Sequence, residues 1–154
     1  MKVFRKILFP VDFSEVSPKI APWVLTMANQ FKAEVHLLFV ARRLEHFAEM
    51  YVTFEDIQNF QTGVIHGAER NMDEFEKTYF KEYPNCKTKV VLGDIAEEIL
   101  KYAKGEEIDL IIMGTHGRKG LNRIVFGSIA DRIIKMSPIP VLSINPYGVG
   151  DLEK

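Results

Sequence analysis

Cysteine, tryptophan and long apolar runs are all scarce in this chain of 154 residues. Its single cysteine, Cys86, cannot form an intramolecular disulfide, and such a chain is typical of a reducing compartment. No uninterrupted apolar segment approaches the ~20 residues that a membrane-spanning helix needs. The first residues, MKVFRKILFPVDF, contain a proline and an aspartate where a signal peptide keeps an apolar stretch. We therefore expect a cytoplasmic protein that has no membrane partner.

An excess of charge of either sign is missing as well. The chain has 20 Lys and Arg residues against 21 Asp and Glu residues, which gives a net charge of −1. Such a chain sets up no overall field that would draw it to nucleic acid, so we expect no nucleic-acid partner. Its length fits one domain with a proper core. We assign residues 1–146 to this domain and residues 147–154 to a flexible tail.

Five short apolar segments, separated by helical patterns, are what the sequence does contain. Nearly continuous apolar runs indicate strands that are covered on both faces, as in a parallel sheet. Strands that alternate with helices through right-handed crossovers build such a sheet with helices on both faces, which is an α/β fold. The predicted strands are Lys6–Val11, Ala33–Val40, Lys87–Leu92, Leu110–Met113 and Val141–Ile144.

The helices are predicted from apolar residues spaced three and four apart and from their capping residues. Ser17 is predicted to cap the first helix, with Pro18 at its first position and Pro22 in about its first turn. The same spacing places Trp23 on the buried face of this helix. The three later helices are predicted from about Phe54 to Tyr83, after Asp94, and from about Ser128 to Met136.

The stretch Asp109–Arg132 is the part of the chain that points to function. An apolar strand breaks at Gly114, a loop with further glycines at 117 and 120 follows, and Gly127-Ser128 then opens a helix. Small residues let backbone N–H groups approach an anion, and a helix N-terminus adds partial positive charge. This order of strand, glycine-rich loop and helix start predicts a phosphate-binding site. The alternative is that the glycines serve only a tight structural turn.

The spacing of the glycines is Gly-x-x-Gly, nine residues, then Gly-Ser. It is not the P-loop, because no Gly-Lys-Ser/Thr follows, and it is not the Gly-x-Gly-x-x-Gly dinucleotide fingerprint. Gly114 and Gly117 can approach a ribose or a phosphate from the end of the strand, and Gly127-Ser128 can return to it as a helix start. The chain is therefore predicted to pass the ligand twice.

Asp12, directly after the first strand, is predicted to complete the cleft. If the strand order reverses between strands 1 and 4, a ligand cleft forms at their carboxyl ends, where Asp12 and the glycine loop both lie. A carboxylate near a polyphosphate is repelled unless a divalent cation lies between them, so an inward Asp12 implies Mg²⁺ or Mn²⁺. The alternative is that Asp12 serves only the turn at Ser14 and the first helix.

Three motifs in this order resemble the universal stress protein family, specifically its ATP-binding branch. The first is Phe9–Ser14 at the end of strand 1, and the second is Val90–Ile99 around the turn after strand 3. The third is Gly114-x-x-Gly117-x9-Gly127-Ser128, followed by a helix that ends in Ser-Pro-x-Pro-Val. The similarity runs from about Lys6 to Ile144 and departs mainly in residues 41–62.

The resemblance implies a flavodoxin-like, five-stranded parallel sheet of order 3-2-1-4-5, with helices on both faces and ATP in the cleft. By match to the family motifs, the residues implied to line the adenosine are Pro10, Val11, Asp12, Val40, Met113 and Gly114. The residues implied to lie beside the phosphates or to cradle them are His116, Gly117, Gly127, Ser128, Ile129 and Ala130, with Arg118 and Arg123 as neighbours. Mg²⁺ or Mn²⁺ would be bound through the phosphates, with Asp12 as its protein ligand.

The resemblance also implies a nucleotide-dependent regulatory or stress-response protein, with hydrolysis that is slow or depends on a protein partner. It implies a homodimer through strand 5, Val141–Ile144, whose short apolar edge would be protected by pairing. One alternative is a nucleotide enzyme, ATP-hydrolysing or adenylyl-transferring, on the same fold. Against it, the chain has neither a Ser-Gly-Gly-x-Asp-Ser loop nor a His-x-Gly-His sequence. A second alternative is a protein that binds flavin or another phosphate-bearing ligand.

Overall fold

The computed structural model describes residues 1–43, 53–115 and 127–148 of the chain. The strands are β1 (Lys6–Pro10), β2 (Glu34–Ala41), β3 (Cys86–Leu92), β4 (Leu110–Gly114) and β5 (Val141–Ile144). The helices are α1 (Val16–Phe31), α2 (Phe54–Tyr79), α3 (Ile95–Gly105) and α4 (Ser128–Met136). The five strands form one parallel sheet in the order β3-β2-β1-β4-β5. The predicted α/β fold and the order 3-2-1-4-5 are therefore confirmed.

The core consists of two apolar layers, one on each face of the sheet. Ile7 and Phe9 of β1 pack in the layer that contains residues of α1 and α2. Leu8, which lies between them, packs with Ile111 and Ile133 in the layer that contains residues of α3 and α4. All five side chains are at most 1% exposed. Because β1 is buried on both faces at the centre of the sheet, the residues that follow it emerge at the carboxyl edge between the two layers.

The start of α1 differs from the prediction. Its N-cap is Glu15 and its first residue is Val16, so Ser17 is not the cap and Pro22 lies beyond the first turn. The hydroxyl of Ser14 accepts a hydrogen bond from the backbone N–H of Val16 at 3.2 Å, and so takes the place that Ser17 was expected to fill. The side chain of Ser17 is thereby left to face the loop after β1.

Trp23 is 42% exposed, although its spacing predicted a buried position in α1. The residues of α1 that are almost fully buried follow one line, Ile20, Val24 and Ala28, and Trp23 lies beside this line. Apolar spacing identifies the buried face of a helix but not its width, and tryptophan is too large to be fully buried at the margin of a face.

Helix α2 is longer than the sheet that it covers. Its 26 residues span about 39 Å at 1.5 Å per residue, against about 23 Å for the seven residues of β3. Phe54 and Phe60 in its first half are 75% and 55% exposed. The helix ends at Tyr79 and not at Tyr83, because Phe80 turns into the core and is 2% exposed. Neither α2 nor any other described helix is long and apolar enough to cross a membrane.

Cys86 is the first residue of β3, at the edge of the sheet, and lies one residue before the predicted start of this strand. Burial raises the pKa of its thiol to about 12, and the nearby carboxylate of Glu76 adds to this effect. Thiol chemistry runs through the thiolate, so a thiol with this pKa is unreactive at neutral pH.

Candidate functional site

The strand order places a crevice at the carboxyl edge of the sheet, between β1 and β4. The helix after β1 packs on one face, and the helix after β4 packs on the other. In sheets of this kind, ligands bind outside the carboxyl ends of the strands at the point where the order reverses. The backbone N–H of Val11 donates to the carbonyl of Leu38 at 2.8 Å, which joins the end of β1 to the end of β2. The ends of β1, β2 and β4 therefore line one opening.

The carboxylate of Asp12 is held by three donors that all reach the same oxygen. Its Oδ1 accepts hydrogen bonds from the backbone N–H of Ser14 at 2.9 Å, from the Ser14 hydroxyl at 2.6 Å and from the Ser17 hydroxyl at 2.9 Å. The Ser17 oxygen also accepts from the backbone N–H of Asp12 at 3.2 Å. Asp12 thus binds the turn at Ser14 and the start of the first helix, which is the second of the two roles predicted for it. Within the described residues no hydrogen bond ends on Oδ2, so this oxygen can also meet a ligand or a cation.

Phe13, in the same loop, is a residue that no sequence motif predicts to be part of the site. Its φ of 58° lies in the left-handed region, which a bulky residue rarely adopts. Its ring packs on Phe39 of β2, with the ring centroids 4.5 Å apart and the ring planes at 34°. Nothing in the letters Asp-Phe-Ser predicts a positive φ at the middle residue, because phenylalanine carries no such preference.

The N-terminus of α4 forms the opposite side of the opening. The backbone N–H of Gly127 donates to the carbonyl of Thr115 at 2.7 Å, and the N–H of Thr115 donates to the carbonyl of Ile144 at 2.9 Å. These bonds fix the start of α4 just beyond the ends of β4 and β5. Gly127 is the N-cap and offers no side chain, and its φ of −53° is open to any residue. Ser128 is exposed and Ala130 is 3% exposed, so the first turn of α4 runs from the surface into the core.

The N-terminus of α3 lies beside α4 and is closed by side chains. Asp94 caps α3 by accepting from the backbone N–H of Glu97 at 3.0 Å. Arg132 of α4 donates from its Nη1 to the two carboxylate oxygens of Asp94, at 3.1 and 3.2 Å. The N–H of Glu97 and then Arg132 lower the pKa of Asp94 below its usual range. The cap was predicted from sequence, whereas the partner in α4 was not, because a pairing across 38 positions leaves no local pattern.

The structure brings most of the predicted site residues to this one edge. Val40 and Met113 are each 6% exposed, so they can offer a ligand mainly their backbone. The residues that it places around the opening are Pro10, Val11, Asp12, Val40, Met113, Gly114, Gly127, Ser128, Ile129 and Ala130. Four other predicted residues, His116, Gly117, Arg118 and Arg123, lie outside the described residues.

A divalent cation at this edge would not find a ready-made set of protein ligands in the described chain. Residues 1–43, 53–115 and 127–148 contain no group of three or more His, Cys, Asp or Glu side chains that could hold a metal ion. Asp12 is the carboxylate that the topology places at the opening, and its Oδ2 fits one position of an oxygen-rich coordination shell. The remaining positions would have to be filled by oxygens of a ligand or of water.

Comparison with known proteins agrees with this architecture. The model of the Universal stress protein family matches residues 4–145. Universal stress protein MJ0577 of Methanocaldococcus jannaschii is 32% identical over 161 residues, which cover 92% of this chain and 95% of that protein. A solved structure of MJ0577 superposes with a TM-score of 0.82 at 31% identity, over 94% of this chain and 97% of the other.

More distant solved structures share the fold and carry nucleotides. One is the universal stress protein from Archaeoglobus fulgidus in complex with dAMP, at 17% identity and a TM-score of 0.64, over 94% of this chain and 100% of that chain. Another is a family protein from Arabidopsis thaliana with AMP bound, at 18% identity and a TM-score of 0.63, over 92% of this chain and 91% of the other. At such identities the likeness shows the fold alone.

Proposed function

This chain belongs to the universal stress protein family, and from that premise we propose that it is an ATP-binding regulatory protein of the stress response. ATP occupies the opening at the carboxyl edge of the sheet. The protein hydrolyses it slowly at most, and its state of nucleotide binding is read by a protein partner. The nucleotides carried by the distant relatives support an adenine nucleotide as the ligand.

The observation that carries the proposal is the N-terminus of α4, which has no side-chain cap among the described residues and lies across the opening from Asp12. The first backbone N–H groups of a helix have no partner within the helix, and they bind phosphate well because the helix dipole adds positive charge. The cap residue, Gly127, has no side chain to satisfy these groups. The N–H groups of Ser128, Ile129 and Ala130 are therefore suited to the phosphates.

The other side of the opening suits the adenosine. Pro10, Val11 and Asp12 would line it, and the backbone of Val40 would meet the adenine edge at the end of β2. Met113 and Gly114 would pack against the nucleoside from the end of β4. His116 and Gly117, which lie outside the described residues, are proposed to stand beside the phosphates on the strength of the family motif.

A divalent cation, Mg²⁺ or Mn²⁺, would be bound mainly through the phosphates, with Oδ2 of Asp12 as its protein ligand. The cation would offset the repulsion between the carboxylate and the phosphates. The three hydrogen bonds on Oδ1 hold the carboxylate in one orientation and leave Oδ2 for the cation. A carboxylate that is bound to the loop in this way is suited to holding ATP and not to activating a water molecule against it.

Titration calorimetry of the purified protein with ATP, with and without Mg²⁺, tests the proposal. We expect one site per chain and weaker binding of ATP when EDTA removes the cation. In a separate assay that follows the release of ADP or AMP, we expect turnover slower than about 1 per second, the lower range of ordinary enzymes. Mass analysis of any nucleotide that copurifies identifies the bound state. Absence of binding to ATP, ADP and AMP would refute the proposed function, and faster turnover would favour a nucleotide enzyme on the same fold.

We also propose that two copies pair through β5. The carbonyl of Pro140 accepts a hydrogen bond from Ile111 of β4 at 3.0 Å, and the carbonyl of Ile144 accepts one from Thr115, directly after β4, at 2.9 Å. Along a strand these groups alternate in direction, so the N–H and C=O groups of Val141 and Ser143 point to the open edge of the sheet. Such an edge can be closed by a second copy of the same strand.

The change Ser143→Pro tests the pairing, because it removes a backbone donor on the outer side of β5 and leaves the bonds to β4 intact. We expect the wild-type protein to be a dimer and the variant to be a monomer by sedimentation equilibrium. Ser143→Ala, which keeps the N–H group, is the matched control. A wild-type protein that stays monomeric at high concentration would exclude this interface.

A further inference from the structure

We propose that Phe13 is a positioning residue. It fixes the loop after β1, which contains Asp12, against the end of β2, and thereby determines the position of the groups that face the adenosine. This inference rests on the proposed function for its ligand, although the structural coupling that it describes can be measured without nucleotide. It assigns Phe13 a role through its neighbours, and no contact with the ligand is required.

The first observation is the backbone of Phe13. Among the described residues, three that are not glycine have a positive φ, and they are Phe13 at 58°, Lys32 at 52° and Glu107 at 54°. Lys32 and Glu107 follow the ends of α1 and α3, where a left-handed residue is an ordinary way to end a helix. Phe13 instead lies between a strand and the start of a helix. A strained residue that persists there must be held by other contacts.

The second observation is the contact that holds it. The ring of Phe13 packs on Phe39 with the centroids 4.5 Å apart, and both rings are partly buried against the core. The residue before Phe39, Leu38, accepts the backbone hydrogen bond of Val11, and the residue after it is Val40. The loop after β1 is thus attached to the end of β2 by one backbone bond and one aromatic contact.

The third observation is what this conformation does to Asp12. With Phe13 left-handed, the chain turns so that the N–H and the hydroxyl of Ser14 both reach back to Oδ1 of Asp12, at 2.9 and 2.6 Å. A different conformation at position 13 would release these donors and let the carboxylate rotate. The side chain of Phe13 therefore determines both the orientation of the Asp12 carboxylate and the position of the loop relative to Val40.

Substitutions at position 13 can separate the ring from the backbone preference. Phe13→Tyr keeps the ring and should bind ATP within about twofold of wild type. Phe13→Gly accepts the left-handed conformation but loses the ring, and should bind about fivefold more weakly. Phe13→Ala loses the ring and disfavours the conformation, so it should lose about tenfold or more. If Phe13 contributed only to global stability, these three variants would bind equally at temperatures where all are folded.

The ligand series gives a second measurement, which a change in stability would not affect. Because Phe13 acts on the adenosine side, its variants should weaken adenosine, AMP and ATP by the same factor when EDTA removes the cation that joins Asp12 to the phosphates. A variant at Gly127 should instead weaken ATP most and adenosine least. A loss that grows with the number of phosphates in the Phe13 variants would contradict the assignment.

Two matched controls exist at the opposite edge of the sheet. Phe4 and Phe31 form another partly buried aromatic pair, with centroids 5.1 Å apart and ring planes at 84°. Phe31→Ala removes an equivalent contact and should lower the midpoint of thermal unfolding without changing ATP affinity. Lys32→Gly relaxes a left-handed residue that is distant from the opening, and should leave ATP affinity unchanged.

Amide NMR spectra of the nucleotide-free protein complete the experiment. Phe13→Ala should shift the amide signals of both Ser14 and Val40, whereas Phe31→Ala should shift neither. If Phe13→Ala leaves the signal of Val40 in place, the coupling is wrong, whatever the protein binds. If the signals shift but the wild-type protein binds no nucleotide, the coupling stands and the proposed function fails. If the signals shift, ATP binds to wild type and the Phe13 variants bind as tightly, the positioning role is overturned.

Discussion

Helices α3 and α4 begin side by side at the carboxyl edge of the sheet, yet their N-termini are completed in different ways. Helix α3 has a side-chain cap, since Asp94 accepts from the N–H of Glu97 and is itself paired with Arg132. Helix α4 begins at Gly127, which has no side chain to offer. The two helices are of similar length and pack in the same layer of the core.

The difference shows how a fold separates a structural helix start from one that is suited to a ligand. Both starts present backbone N–H groups and the positive end of a dipole. At α3 the N–H of Glu97 is bonded to the side chain of Asp94, and such a cap contributes about 1 kcal/mol to the free energy of unfolding. At α4 no side-chain cap bonds these groups within the described residues, and we propose that they bind the ligand. A carboxylate at position 127 would satisfy the helix but would occupy the place proposed for phosphate.

The largest expected effect comes from making the start of α4 resemble that of α3. Gly127→Asp should cap α4. Gly127→Val should fill the space proposed for phosphate at the start of α4, which we call the cradle. Neither change strains a φ of −53°. Both should weaken ATP binding by about 100-fold or more, because two or more charge-assisted hydrogen bonds are lost. Calorimetry measures the affinity, and thermal unfolding shows whether the fold is kept. Unchanged affinity in Gly127→Val would show that the proposed cradle is wrong.

The opposite change, removal of the cap of α3, should affect stability and leave binding unchanged. Asp94→Ala is expected to lower the free energy of unfolding by about 1 kcal/mol, the usual value of an N-cap aspartate. Asp94→Asn retains an acceptor for the N–H of Glu97 and should lose less. Urea denaturation measures both variants against wild type. A tenfold loss of ATP affinity in Asp94→Ala would mean that the two helix starts are not separate in function.

The smallest expected effect concerns the pair between Asp94 and Arg132. Both side chains are about two-fifths exposed, so the pair is worth about 0.5 kcal/mol. The folded protein lowers the pKa of Asp94, so its contribution is present above the unfolded pKa of about 4 and is lost as pH falls through the folded pKa. Arg132→Gln should therefore be less stable than wild type at pH 7 and equally stable in acid.

Lys135→Gln is the control for this last comparison, since Lys135 pairs with Asp131 at 2.9 Å within α4 and does not join two helices. It should change stability by no more than the few tenths of a kcal/mol typical of such a pair. A difference between Arg132→Gln and wild type that persists in acid would assign the effect to packing of the arginine and not to its charge.

Much of the fold could be predicted because its strands are short apolar runs with clear ends. The bounds of α4 and β5 are confirmed, as are the edge position of β3 and the reversal of order between β1 and β4. Periodicity was enough for the central strands, β1, β2 and β4, because they are mostly buried, and α3 has a clear cap in Asp94. The glycine motif and Asp12 then predicted a cleft at the carboxyl edge of the sheet.

The rest depended on contacts that leave no local pattern. Ser14 and Ser17 are both capable caps, and only the position of Asp12 decides that Ser17 turns away from the start of the helix. The positive φ of Phe13 follows from its packing on Phe39, a residue from another strand. Arg132 reaches Asp94 from another helix. Such choices are settled by tertiary structure, and the sequence near each residue allows more than one outcome.

The thiol of Cys86 has a practical consequence for work with this protein. Burial raises the pKa of this thiol to about 12, so the thiolate is scarce at neutral pH. Peroxides and alkylating reagents should therefore react slowly with Cys86 in the folded chain, and no dimer linked through its sulfur is expected under oxidising conditions. The same residue opens β3 at an edge of the sheet, so it becomes reactive when that edge separates. An increase in the rate of alkylation under mildly denaturing conditions would therefore report that this edge has loosened, in a protein that needs no added label.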